Sequence, residues 1–210
     1  MKVVLVDRVE KLYDALLVGL VDAEGPRTIE AEEEVGDGGA RRPKPADRGP
    51  IVVCLDVSGS MTGWPGTTAH AIVLHVALTA YAEGRPCHVL SFSGPGDVIE
   101  HPLSFDANAL EHVIAFLHLR FEGGTDVSEP IRRAIEMHAE AKWQNADILL
   151  VSDGAFEVPK DIVAKVTRAR ATSGLRIHGL VVGAGGSAAT EGLCTEVHRL
   201  NDWLRADAKR

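Results

Sequence analysis

The stretch Ile51-Val52-Val53-Cys54-Leu55-Asp56-Val57-Ser58-Gly59-Ser60 decides the reading of this chain. Its first five residues form an unbroken apolar run, the pattern of a strand in a parallel sheet whose two faces are both covered by helices. Asp56 ends the run. A carboxylate at the end of a buried strand is costly to desolvate unless a cation, hydrogen bonds or solvent offset the loss. Ser58 and Ser60 place two hydroxyls at alternate positions behind it, and Gly59 lets the backbone turn sharply between them. Hard oxygen donors gathered on one turn suit a small divalent ion such as magnesium. The same residues also read as an Asx turn leading into a helix N-cap, because Asp and Ser bond their own backbone.

Two further stretches bear on that choice. Gly123-Gly124-Thr125-Asp126 precedes a helical pattern, and Ser152-Asp153-Gly154 follows a second apolar strand, Ile148-Leu149-Leu150-Val151. Loops at the carboxyl ends of strands in an open parallel sheet converge on one crevice, so Asp56, Ser58, Ser60, Thr125 and Asp153 can meet there. Asp126, next to Thr125, reads either as a cap for the helix that follows or as a charge tuning the site.

From residue 50 onward, strands alternate with helices, which implies right-handed crossovers. Helices are expected over 65–83, 106–119, 127–143, 159–173 and 188–204, and strands over 51–55, 87–92, 147–151 and 176–182. Residues 98–103 follow a loop, Gly94-Pro95-Gly96-Asp97, too short for a crossover, and they contain Pro102. They belong antiparallel at a sheet edge, where proline is tolerated. The fold class is therefore α/β, doubly wound, with a mostly parallel central sheet, one antiparallel edge strand and helices on both faces.

Asp-x-Ser-Gly-Ser, Gly-Gly-Thr-Asp and Ser-Asp-Gly, in this order and at strand ends, resemble the metal-ion-dependent adhesion site of von Willebrand factor A (VWA) domains, over roughly residues 50–205. Three further stretches resemble the cytoplasmic, bacterial ViaA and CoxE-like group: the lead-in Arg48-Gly49-Pro50, the segment Arg85-Pro86-Cys87, and Glu196-Val197-His198-Arg199-Leu200-Asn201-Asp202-Trp203. Members of that group work with MoxR-type AAA+ ATPases. The resemblance implies that Ser58, Ser60 and Thr125 touch the ion directly, while Asp56 and Asp153 bind through water or exchange into its shell. It also implies an open coordination position for an acidic residue of a protein partner. The implied ion is magnesium, with manganese or calcium as alternatives. The implied role is a non-catalytic adaptor or co-chaperone of a MoxR-type ATPase in protein or metal-centre assembly. Two other classes remain open, a metal-dependent protein-binding scaffold without an ATPase and a metal-dependent phosphohydrolase.

The rest of the chain bounds these readings. At 210 residues, 45% hydrophobic and 25% charged, it can bury one sizeable core. Its formal charge of −8 argues against nucleic acid or an anionic membrane as partner. Cys54, Cys87 and Cys194 have no paired metal-ligand spacing and read as small buried residues in a reducing compartment. Residues 1–22 carry Val9, Leu12, Leu16, Leu17 and Leu20 at helical spacing, an amphipathic helix whose charges interrupt any secretory or membrane-spanning run. A cytoplasmic location follows. Residues 23–49, first acidic and then rich in Gly, Pro and Arg, form a flexible charged linker, 50–205 the VWA domain, and 206–210 a tail. The ViaA-like group carries a long helical region ahead of its metal domain, where this sequence places only the short helix and linker.

Several other chemistries find no support. Ser58 is not in a Gly-x-Ser-x-Gly elbow, there is no Walker A motif, and the nine histidines show no zinc spacing. Gly183-Ala184-Gly185-Gly186 lacks the full dinucleotide-binding pattern and reads as a loop. Trp64, close to the metal loop, is either an exposed contact or a packed lid.

Overall fold

Residues 49–101, 115–119, 123–183, 185 and 188–200 are described by the structure, a computed structural model. The apolar run after Gly49 forms β1 (Ile51–Asp56), every residue of which is buried. It is flanked by parallel strands on both sides, β2 (Cys87–Phe92) and β4 (Asp147–Ser152). Beyond β2 lies the antiparallel edge strand β3 (Val98–His101), and beyond β4 lie β5 (Ile177–Val181) and β6 (Glu196–Arg199), both parallel. The order β3-β2-β1-β4-β5-β6 makes one mostly parallel sheet with a single antiparallel edge. The chain leaves β1 toward β2 and later returns to the other side of β1 as β4. The strand order therefore reverses between β1 and β4, and a crevice opens at their carboxyl ends.

Side chains alternate across this sheet, and both sides are dry. Val52, Cys54, Leu90, Phe92, Ile148, Leu150 and Ile177 share one core with Ile131, Ala134 and Met137 of α2 (Ser128–Ala139) and with Ile162 and Val166 of α3 (Lys160–Ser173). The intervening residues Val53, Leu55, Leu149 and Val151 are equally buried and point the other way. Helix α1 (Trp64–Ala82) presents Ala69, Ile72, Val73, Val76, Ala77 and Ala80 at three- and four-residue spacing, the stripe needed to cover a sheet face. Cys54 and Cys194 sit in the core, and burial pushes the thiols of Cys87 and Cys194 up to about 12. Cys54 and Cys194 serve as small packing residues of the core.

At the amino-terminal end of the sheet a charged network is buried. Asp147 lies 3.0 Å from Arg85 Nη2 and 3.3 Å from Arg176 Nη2. Arg85 Nε also donates to the carbonyl of Gly49 at 2.6 Å. Ile51 N–H donates to Pro86 O and Asp147 N–H to Pro50 O, so the entry to β1 is tied on both sides.

Two expected helices change. The one placed over 188–204 is the short helix α4 (Ala188–Leu193) followed by β6, which pairs with β5 through His178↔Glu196, Gly179↔Val197 and Leu180↔His198. Without this strand the outer edge of β5 would carry unpaired backbone groups in a buried setting, so sheet completion outweighs helical spacing. The one placed over 127–143 ends at Ala139. Glu140 turns extended, and a single 3-10 turn, Ala141–Trp143, brings Trp143 into the core. Residues 115–118 are helical. The remainder of the helix expected over 106–119, the end of the edge strand at 102–103, the helix over 1–22, nearly all of the linker and the tail lie outside the described residues. Among those described, no helix is long and apolar enough to cross a membrane.

Candidate metal centre

Asp56 closes β1 with 1% of its surface exposed, and its two oxygens are held from different directions. Oδ1 accepts the Ser58 backbone N–H at 2.9 Å. Oδ2 accepts the Ser152 hydroxyl at 2.6 Å. Burial pushes the Asp56 carboxyl above its ordinary value; the bonds from Ser152 and Ser58 pull it back, and the charge of Asp153 pushes it up again. Among the described residues no basic side chain offsets this carboxylate.

The turn behind Asp56 has the shape its sequence dictates. Ser58 is buried and extended, Gly59–Met61 make one 3-10 turn, and the Ser58 and Ser60 hydroxyl oxygens stand 3.2 Å apart. Ser60 is exposed at the mouth. Gly59 N–H points at the carbonyl of Gly123 at 3.4 Å, which brings the Gly123–Asp126 loop against this turn. Thr125 is half-buried on that loop and lines a groove with Gly154, Ala155, Phe156 and Glu157, so it faces the end of β4. Asp126 Oδ1 accepts the N–H of Ser128 at 2.9 Å, the Asx bond that starts α2. Its own N–H donates to Ser93 O at 2.6 Å, fastening the loop to the end of β2.

Asp153 follows β4 and is 8% exposed; its Oδ1 accepts the Ala155 N–H at 2.9 Å. The loop after β5 lies directly upon it. A Cβ at Gly185 would collide with the Asp153 carbonyl, and Gly183, at φ 109°, sits against Asp153 and Pro65. Glycine is required at both places, by contact at one and by backbone conformation at the other. Gly183 and Gly185 are thus packed closely against Asp153.

Asp56, Ser58 and Ser60 are therefore linked by hydrogen bonds, Asp153 lies within the electrostatic reach of Asp56, and Thr125 occupies a loop packed between the two turns. Ser152 lies in the Ser-Asp-Gly stretch without a ligand signal of its own; only the register of β4 beside β1 brings its hydroxyl to Asp56. Trp64, first residue of α1, is 50% exposed, an open contact surface rather than a lid. Beside the Ser58 turn a cavity of about 260 Å³ is lined by Ser58, Gly59, Met61, Gly66, Thr67 and His70 among others.

No group of three or more His, Cys, Asp or Glu side chains among the described residues is arranged to hold a metal. The donors gathered here are of another kind, hydroxyls with two carboxylates. Such a set fits a hard ion that keeps several waters and takes few charged ligands.

This fold, with its crevice between β1 and β4, defines a von Willebrand A-type α/β domain, and the likeness extends to solved structures. The BatB protein of Bacteroides thetaiotaomicron superposes with a TM-score of 0.55 at 12% identity, covering 77% of this chain and all of the other. The VWA domain of SpRpn10 gives 0.55 at 14% identity, with 76% and 95% covered. Proximal thread matrix protein 1 from the mussel byssus gives 0.54 at 14% identity, covering 74% of this chain and 44% of the other. At these identities the likeness establishes the fold alone. Residues 29–201 match the family of VWA domain containing CoxE-like proteins, and the chain belongs to that family. It therefore carries a VWA-type protein-interaction domain.

Proposed function

We propose that the chain is a non-catalytic, magnesium-dependent protein-interaction module working in the cytoplasm as an adaptor of a MoxR-type AAA+ ATPase in protein or metal-centre assembly. One observation carries the reading: Asp56 is buried, ionisable and, among the described residues, bonded only to neutral donors, with the Ser58 and Ser60 hydroxyls on the following turn. Ser58, Ser60 and Thr125 would hold the ion, with Asp56 and Asp153 supplying the balancing charge. When bound, the ion supplies a positive centre that a carboxylate of a second protein can share. The chain's own part is to keep its hydroxyls and carboxylates fixed before a partner arrives, which lowers the ordering cost of association. The exposed indole of Trp64 offers an aromatic contact at the rim.

The test is a pull-down from native extract with wild type and Asp56→Ala, each with magnesium and with chelator. A AAA+ ATPase retained by wild type with magnesium alone supports the adaptor and the bridging ion. An ATPase retained in all four conditions docks elsewhere on the chain and overturns the bridge. A metal-dependent partner that is not an ATPase supports the scaffold without the motor, and no metal-dependent partner sinks the reading.

A further inference from the structure

The last residue of β4 has a place in this site that the ligand pattern does not assign. Ser152 is 2% exposed, and its hydroxyl oxygen makes two bonds, toward Asp56 Oδ2 at 2.6 Å and from the Gly154 N–H at 3.0 Å. A hydroxyl has one proton to give and lone pairs to receive. The Gly154 amide can only donate, so it takes a lone pair of Oγ, and the Ser152 proton is committed to Asp56. The direction of the chain is fixed: Gly154 N–H to Ser152 Oγ, Ser152 O–H to Asp56 Oδ2.

The geometry has two consequences. Asp56 Oδ1 is already pinned by Ser58 N–H from its own turn, so the second anchor at Oδ2 fixes the rotation of the carboxyl group about its Cβ–Cγ bond. Ser152 also directly precedes Asp153, so this hydroxyl ties the turn bearing Ser58 and Ser60 to the loop bearing Asp153. Because the donor is neutral, it adds no positive charge beside the carboxyl group, whereas a lysine or arginine in the same place would supply the charge a cation is to supply.

We infer that Ser152 is a positioning residue of the cation site, acting through Asp56 by fixing the plane of its carboxylate and the spacing of the two loops. The inference rests on the metal-dependent reading above. Partners of this kind behind a ligand commonly change metal affinity by about 10- to 100-fold.

Calorimetric titration of magnesium into wild type, Ser152→Ala, Ser152→Thr and Asp56→Ala tests it. The expected result is about a 10- to 100-fold weaker Kd for Ser152→Ala and a Kd within about threefold of wild type for Ser152→Thr, which keeps the donor. A metal-free readout accompanies it: in chelator, amide exchange at Gly154 and Ser58 accelerates in Ser152→Ala and not in Ser152→Thr. A merely structural serine would lower the melting temperature and leave the Kd of the folded protein unchanged. Wild type that binds no magnesium overturns the site and this inference together. Wild type that binds, with Ser152→Ala binding equally well or Ser152→Thr as weak as Ser152→Ala, overturns the inference and leaves the site standing. If Ser152→Ala does not fold, Ser152→Cys, a poor donor of similar shape, takes its place with the same expectation.

Discussion

Two aspartates on adjacent strands, at opposite ends of the same sheet, solve the problem of a buried carboxylate differently. Asp147 opens β4 and lies between the guanidinium groups of Arg85 and Arg176. Burial holds its carboxyl above the ordinary value although the two arginines pull it down, and the paired geometry answers the charge from within the chain. Asp56 closes β1 and, among the described residues, meets neutral donors of Ser152 and Ser58. One end of the sheet is electrostatically complete and the other is not, and the incomplete end is where the strand order reverses. The difference separates a carboxylate answered by basic side chains of its own chain from one answered by neutral donors, although both are buried aspartates in a six-residue strand.

The comparison is broken most directly at its complete end. Arg85→Ala leaves Asp147 short of a partner and Gly49 O without its donor, and removing one member of a buried pair costs about 3–5 kcal/mol. Urea denaturation should show that loss, while any magnesium-induced rise in stability persists in the variant; a loss under 1 kcal/mol would mean the network is not needed for folding.

A third buried group sharpens the contrast by staying neutral. His178, fully buried in β5 with neither ring nitrogen hydrogen-bonded, has its pKa lowered to about 4, chiefly by burial, with Arg176 and His198 adding to the effect. The unfolded chain takes up this proton near the ordinary histidine value, whereas the folded chain resists it until about pH 4. Stability is therefore held above pH 6.5 and lost as pH falls from about 6.5 to 4, by roughly 3 kcal/mol from this group. His178→Leu should flatten that limb of the stability curve, and an unchanged slope would assign it to other groups.

At the incomplete end, Asp56→Asn keeps the shape and removes the charge. In chelator it should be somewhat less stable than wild type, because its amide nitrogen faces either the Ser152 hydroxyl or the Ser58 N–H with a donor where the carboxylate accepts. With magnesium at 100 times its Kd, wild type should gain about 2.7 kcal/mol and the variant nothing. An equal gain in both would place the ion elsewhere.

The smallest effect is expected where ion pairs face water. Arg133 contacts Glu100 at 2.8 Å and Glu140 at 3.4 Å on the surface, and Arg133→Ala should cost about 0.5 kcal/mol, less still at high salt. A loss comparable with that of Arg85→Ala would show that burial is not what distinguishes the two networks.

Much of the architecture could be read from the residues because its signals are local. Apolar runs marked β1, β2 and β4, the short loop before Val98 marked the antiparallel edge, and the donor types at Asp56, Ser58 and Ser60 marked the end of β1. Pairings across the sheet were hidden. Nothing near Arg85 in sequence points to Asp147, and Ser152 meets Asp56 only because β4 runs parallel to β1 in one particular register. The stretch over 188–204 misled for a related reason: β6 exists to satisfy the edge of β5, a demand invisible within its own residues.

The anchored entry to β1 also determines how the domain meets a mechanical load. Gly49 is gripped through its carbonyl by Arg85 and packed so closely on the backbone of Asn145 that a side chain there would collide with it. Tension applied through the chain ahead of Gly49 falls first on that clamp and then, in shear, on the hydrogen bonds joining β1 to its two parallel neighbours. Asp56 lies five residues beyond Ile51, roughly 17 Å along the strand at about 3.3 Å per residue. A pull on the leading segment can therefore be borne at one end of the sheet while the oxygen cluster at the other keeps its geometry.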